Sequence, residues 1–291
     1  MTAAFHSNWT KPFLTRHRGA PYSIEDYELL TTILSALEWR KHNGSIKMIT
    51  DSIGADYYRN LGIDHLWDRG IDTCLDNEID PAISPLAFWA AGKIYALQKQ
   101  PAPCVMIDTD FIVWEPLDRD LSDTPLAVIH RETISDEIYP PKSFFQMHDA
   151  YMFPTEWDWS VLPCNTAFLY IADENIKAYY TNQSIAFMKN LQRSNNITAE
   201  MVFAEQRLLA MCASAWGIDI KSLLDLNNLE KQACFTHIWG LKSILQTVPD
   251  KRKSFCLNCI NRIINDFPEE IVTLRRIESL SRYFDSIDRK V

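Results

Sequence analysis

The chain has 291 residues, 47% of them hydrophobic and 12% aromatic, enough for one large buried core or for one domain with an appendage. A net charge of −9 argues against nucleic acid as a partner, because that affinity is drawn from Lys and Arg. The opening MTAAFHSNWTKPF has no apolar run of signal-peptide length, and the most apolar stretch, PLAFWAAGKIYAL, carries Lys93 and falls short of the roughly 20 residues that span a bilayer.

Residues 2–8 read as a first strand, followed by a Pro-containing loop. Ser23 with Asp26 three residues on predicts a capping box that opens a helix, in which Ile24, Tyr27, Leu30, Ile33, Leu34 and Leu37 recur at helical spacing. Gly44 closes that helix. A buried strand over 45–50 follows, then a short helix over 55–61 ended by Gly62, and a strand at 65–68. Pro85 in the first turn predicts a helix over 84–99, where a missing N–H costs nothing. An apolar strand over 103–107 comes next. Further strands are expected at 125–130, 165–171 and 233–240, with helices over 173–191 and 199–215. This alternation predicts an α/β domain over 1–248 with a largely parallel sheet, whose ligands gather at the carboxyl ends of the strands.

Beyond residue 248, apolar positions such as Phe255, Ile260 and Ile263, and later Leu274, Leu280 and Phe284, recur at helical spacing, broken at Pro268. They predict two amphipathic helices, an extension over 249–291 packed on the domain. From Asp250 onward nine Lys or Arg face seven Asp or Glu, so the tail carries +2 and the rest −11. The basic run DKRK at 250–253 reads as a solvated helix start; its alternative is weak peripheral contact with an anionic membrane face. Seven cysteines, odd in number and embedded in apolar segments, suit reduced thiols in the cytoplasm. Cys256 and Cys259 have no second pair with which to build a zinc site.

The segment PCVMIDTDFIVWEPL, residues 103–117, places Asp108 and Asp110 at the end of an apolar strand, one residue apart. Two carboxylates so close repel, and a divalent cation between them removes the conflict. Alternate strand residues lie about 6.6 to 6.8 Å apart, whereas oxygens on one Mg²⁺ need bonds of about 2.1 Å. The chain must therefore bend at Thr109, or one aspartate must act through water or a substrate hydroxyl. A second constellation, FTHIWGLKS at 235–243, offers His237, whose imidazole can ligate Mn²⁺, Gly240, which lets backbone approach a phosphate, and Lys242, which neutralises one. A lone histidine after an apolar strand is more often a hydrogen-bonded structural residue, and only the combination with the upstream Asp-x-Asp points His237 to a metal.

These motifs resemble those of the GT-A-fold, DxD-type glycosyltransferases, and among them the retaining group that contains glycogenin and the lipopolysaccharide galactosyltransferases. The strand ending in D-x-D is VMIDTD, the later Asn-containing strand NTAFLYI, the acidic–Gln pair AEQRLL, and the C-terminal His motif HIWGLKS. Three positions depart: the lysine comes one residue early, no Pro-Trp follows it, and Ala167 stands where the family has glycine.

The resemblance implies a mixed, Rossmann-like sheet flanked by helices and a nucleotide-sugar donor, by likeness a UDP-sugar. Asp108, Asp110 and His237 would hold Mn²⁺ or Mg²⁺ on the diphosphate, and Lys242 and Gly240 would meet its oxygens. Gln206 would lie beside the anomeric carbon, with Glu205 near the transferred sugar's hydroxyls. Asn165 would touch sugar or acceptor, His6 and Ser7 would line the nucleotide pocket, and Lys93 would reach the sugar or diphosphate. The acceptor would be a hydroxyl of a glycan or lipid-linked glycan, as in polysaccharide biosynthesis. Two alternatives stand beside this reading. One is a haloacid-dehalogenase-type phosphatase, which also places D-x-D after an apolar strand. The other is a relative that binds nucleotide or glycan without turnover.

Overall fold

The apolar runs CVMI, FIV, LAV and FLYI form strands that are buried along their whole length. A computed structural model describes residues 2–194, 196–226 and 233–288. The first strand, β1 (Ala4–Asn8), passes through α1 (Lys11–Arg16) to the long helix α2 (Asp26–His42), then to β2 (Ile46–Thr50) and α3 (Ser52–Asn60). After β3 (Ile71–Asp72), α4 (Leu75–Glu78) and α5 (Ala91–Lys99) come β4 (Cys104–Ile107), β5 (Phe111–Val113), α6 (Asp118–Leu121) and β6 (Leu126–Val128). A long excursion over 129–167, carrying the short strand β7 (Gln146–Met147), leads to β8 (Phe168–Ile171) and α7 (Glu174–Asn190). The chain continues through β9 (Leu191–Arg193) and α8 (Ile197–Val202), a π-helical turn at Phe203–Arg207, α9 (Leu208–Ala215), β10 (Lys221–Ser222) and β11 (Phe235–His237). It closes with α10 (Lys242–Thr247), α11 (Pro249–Asp266), α12 (Ile271–Arg276) and α13 (Glu278–Asp288).

Seven strands form one sheet in the order β10-β6-β8-β4-β1-β2-β3. β1 runs parallel to β2 and β4, while β8 is antiparallel to both β4 and β6. This is the mixed α/β architecture that the sequence predicts. Side chains alternate across the sheet with period two. Val105 and Ile107 of β4 pack with α2 and the tail helices, whereas Cys104 and Met106 pack with α5, α7 and α9 on the other face. Two small ladders, β5 with β11 and β7 with β9, lie outside this sheet.

Several boundaries differ from the sequence reading. The capping box of α2 is Glu25 with Glu28, because Asp26 is buried against the tail instead. Residues 65–68 do not form a strand: Asp64–Leu66 is a 3-10 turn, and Gly70, at φ 78°, swings the chain into β3. The helix expected over 84–99 begins only at Ala91, since the preceding segment closes in turns, with Phe88 N donating to Ser84 O at 2.8 Å. The strand expected at 233–240 is confined to Phe235–His237 and gives way to a 3-10 turn at Trp239–Leu241. The tail forms three helices, because Ile277 is extended (ψ 112°) and separates α12 from α13. Their buried residues, among them Cys256, Ile260, Leu280 and Phe284, join the cluster that holds Leu30 and Ile33 of α2. Among the described residues no helix is long and apolar enough to cross a membrane.

Candidate metal centre

β4 ends at Ile107 and the chain turns at once. Asp108 N donates to Ala167 O at 2.8 Å, and Phe111 N returns to Asp108 O at 3.0 Å, so the bend falls at Thr109 and Asp110, where two carboxylates on one cation require it. β5 leaves the main sheet and pairs antiparallel with β11, which sets Phe111 opposite His237. Ile238 N then donates to Asp110 O at 3.3 Å. That ladder closes the long sequence gap between Asp110 and His237. Donor atoms of Asp108, Asp110 and His237 all lie within 4.8 Å of one another.

Neighbouring donors on one ion with bonds of about 2.0 to 2.2 Å are roughly 3 Å apart, and opposite donors roughly 4.2 Å. His237 Nε2 lies 3.7 Å from Asp110 Oδ1, and two hard oxygens with one imidazole suit Mn²⁺ or Mg²⁺. His237 is biased towards the neutral form. Burial lowers its pKa, outweighing the opposite pull of Asp110, and a ligating imidazole must be neutral at the metal-facing nitrogen.

Each aspartate also has a lysine. Lys93 Nζ lies 2.6 Å from Asp108 Oδ1 and is in close contact with Glu205 Oε1. Lys242 Nζ lies 3.0 Å from Asp110 Oδ2 and 3.1 Å from Glu28 Oε1. Burial would lower both lysines, but the carboxylates around them hold both above their ordinary value. The aspartates diverge. Burial, with Asp110 and Glu205 adding to it, raises Asp108 to about 6 against the pull of Lys93. Asp110, only 8% exposed, would also rise with burial, yet Lys242 and His237 hold it below the usual range. Two ammonium groups thus relieve the carboxylate repulsion within the protein itself.

Lys93 reaches the site because Gly92 lets α5 come close to the loop after β1: a Cβ at Gly92 would lie 2.6 Å from Trp9 Cβ. Glu205 and Gln206 stand on the π-helical turn. The extra residue of such a turn frees carbonyls from the helical ladder. Ala204 O accepts from Ser184 Oγ at 2.8 Å, Glu205 O from Tyr180 OH at 2.6 Å, and Gln206 O from Cys164 N at 3.2 Å. Glu205 is buried, taking Thr166 Oγ1 at 2.8 Å besides Lys93. The half-buried Gln206 accepts from Tyr139 OH at 2.6 Å. Asn165 donates to Glu132 Oε1 at 3.0 Å, and its chain neighbours Cys164 and Thr166 are the residues that bond the turn, at Gln206 O and Glu205 Oε1.

Three further expected residues are His6, Ser7 and Gly240. His6 does not line a pocket by direct contact. It is fully buried; Trp67 Nε1 donates to its Nδ1 at 3.2 Å, and its Nε2 lies 3.0 Å from Ser35 Oγ. Ser35 in turn donates to Phe111 O at 2.5 Å. Burial pushes the His6 pKa down to about 3, so the neutral ring braces the turn after β4. Ser7 is half-buried, and its Oγ is a buried atom with no hydrogen-bond partner among the described residues. Gly240 is exposed, and a Cβ there would meet nothing within 4 Å, so the protein's own packing does not call for glycine. Glu28, Thr166 and Tyr139 were not expected at the site. Tyr139 lies in the irregular excursion, and the polar pattern at the start of α2 points only to capping.

A family model described as a family of unknown function (DUF6734) matches residues 3–277. No curated protein matches. Among solved structures, the glycosyltransferase GlyE of Streptococcus pneumoniae TIGR4 is 12% identical, with 77% of this chain and 46% of that one covered and a TM-score of 0.38. PaToxG Glycosyltransferase is 10% identical, with 98% and 86% covered and a TM-score of 0.41. Mouse xyloside xylosyltransferase 1 is 8% identical, with 76% and 84% covered and a TM-score of 0.37. This chain spans less than half the length of the GlyE structure, and overlaps of this size carry no argument about function.

Proposed function

The chain belongs to a family of unknown function (DUF6734), and we propose that it is a metal-dependent glycosyltransferase that moves a sugar from a nucleoside diphosphate sugar to a hydroxyl acceptor. The observation that carries this reading is the convergence of Asp108, Asp110 and His237, their donor atoms within 4.8 Å of one another at the carboxyl end of β4. These three residues would hold Mn²⁺ or Mg²⁺, which neutralises the charge that develops on the departing diphosphate. Lys242, already beside Asp110, would bind a diphosphate oxygen. Lys93 and Glu205 form a fixed ion pair next to Asp108, suited to orienting the sugar's hydroxyls, and Gln206 is held by Tyr139 with its amide nitrogen available to substrate. A UDP-sugar, retention of configuration and a glycan or lipid-linked acceptor follow from the motif resemblance and belong to the same proposal. So does the division into a transferase domain over 1–248 and a helical extension over 249–291, supported by the tail's amphipathic helices.

The phosphatase alternative is not favoured, because the candidate third ligand is a histidine on β11 and not a second acidic motif. The test is thermal stability with nucleoside diphosphates, each with and without Mn²⁺, since a ligand bound only by the native state raises stability by mass action. The expected result is a shift that needs metal and diphosphate together and disappears in Asp110→Ala. A shift with diphosphate alone, or one retained in that variant, would overturn the metal-dependent reading. Binding without sugar transfer or donor hydrolysis would identify a non-catalytic relative.

A further inference from the structure

Glu28 has no part in the motifs that mark the site, yet both of its carboxylate oxygens have work at one end of α2. Oε2 accepts from Glu25 N at 3.4 Å and closes the capping box, while Oε1 lies 3.1 Å from Lys242 Nζ. The same ammonium lies 3.0 Å from Asp110 Oδ2. Lys242 is therefore shared between a candidate metal ligand and a carboxylate fixed on a long helix. That helix is itself anchored, through Ser35 to Phe111 O and through Asp26 to Arg252. In the ion-paired cluster the carboxylates of Glu28, Asp108, Asp110 and Glu205 contribute −4 and Lys93 and Lys242 contribute +2. The balance of −2 matches one divalent cation.

We propose that Glu28 is a positioning residue that takes Lys242 from Asp110 when a divalent cation enters, and holds the ammonium beside the cation where a diphosphate would lie. An ammonium paired only with Asp110 would compete with the metal for that carboxylate. With Glu28 present, Lys242 leaves Asp110 by a small rotation and keeps an anionic partner throughout. The proposal rests on the metal reading of Asp108, Asp110 and His237.

The test is Mn²⁺ binding, read from the electron paramagnetic resonance signal of free aquo-Mn²⁺, in the full chain and in Glu28→Gln, Lys242→Met and the double variant. Gln keeps the capping oxygen, so α2 is retained. Glu28→Gln should weaken Mn²⁺ binding by about tenfold, in the range of a charge-assisted contact. Lys242→Met should bind Mn²⁺ at least as tightly as the unaltered chain, and adding Glu28→Gln to it should change nothing further. Unchanged affinity in Glu28→Gln, or an equal loss in the Lys242→Met background, would overturn the role of Glu28 while leaving the metal site standing. No Mn²⁺ binding by the unaltered chain would overturn the metal reading and this inference with it.

Discussion

Burial raises the Asp108 carboxyl to about 6, and this gives the metal-free protein a defined pH response. Between an unfolded value near 3.9 and the folded value near 6, the native state holds a proton that the unfolded chain has released. Stability therefore falls as pH rises through that window. Asp108→Asn removes the penalty. The variant should be more stable than the parent by about 1 to 3 kcal/mol above pH 6, with the difference shrinking towards pH 4. Urea titrations of metal-free protein at several pH values measure this, and a difference that grew on acidification would contradict the placement of Asp108. His6 shows how a residue at a motif-like position acquires another role. The end of β1 fits a nucleotide pocket by likeness, but a ring with no exposed atoms and a partner at each nitrogen holds the turn and leaves no edge for ligand.

Elements place these groups through close approaches that the chain makes at small residues and irregular turns. At Gly92 an added Cβ would meet Trp9 Cβ at 2.6 Å, so Gly92→Ala must push α5 or the loop after β1 outward. A loss of about 1 to 3 kcal/mol is expected from overpacking of this kind. Because Lys93 is the next residue, the ion pairs with Asp108 and Glu205 should loosen as well. Chemical denaturation gives the first effect, and a changed nucleotide-dependent thermal shift gives the second; an unaltered variant in both assays would show that the approach is not tight. The π-helical turn works in the same way. Carbonyls of Ala204, Glu205 and Gln206 are satisfied from outside the helix, which leaves Glu205 aimed at Lys93 and Gln206 at Tyr139.

Across the whole molecule, the tail and the body are joined by a charged network inside a shared apolar cluster. Asp26, on the first turn of α2, is buried and accepts from Arg252 Nε at 2.8 Å and Tyr283 OH at 2.5 Å, and it also pairs with Arg282. Burial would raise its pKa, but these donors outweigh burial and hold it below the ordinary carboxylate value. Its contribution is present at neutral pH and is lost as pH falls below the unfolded value. Asp26→Ala leaves three donors facing each other. The expected cost is about 2 to 4 kcal/mol, under the full value of a buried pair because Arg282 is largely exposed. Equal urea midpoints at pH 7 for the variant and the parent would show that the apolar contacts alone hold the tail.

The sequence by itself determined what local pattern can carry: the strand–helix alternation, the apolar strand ending in Asp108 and Asp110, and the amphipathic spacing of the tail. Period-two and 3.6-residue patterns survive folding because the faces they define are the faces that become buried. Tertiary structure decided what depends on partners distant in the chain. Ladder pairing of β5 with β11 set His237 beside Asp110. Lys93 became the counter-ion of Asp108 and Glu205 because α5 crosses the end of β1 at Gly92. Glu28 met Lys242 because the start of α2 and the start of α10 converge. Helix and strand periods fix which way a side chain points along its own element, whereas the groups it meets are fixed by how the elements cross.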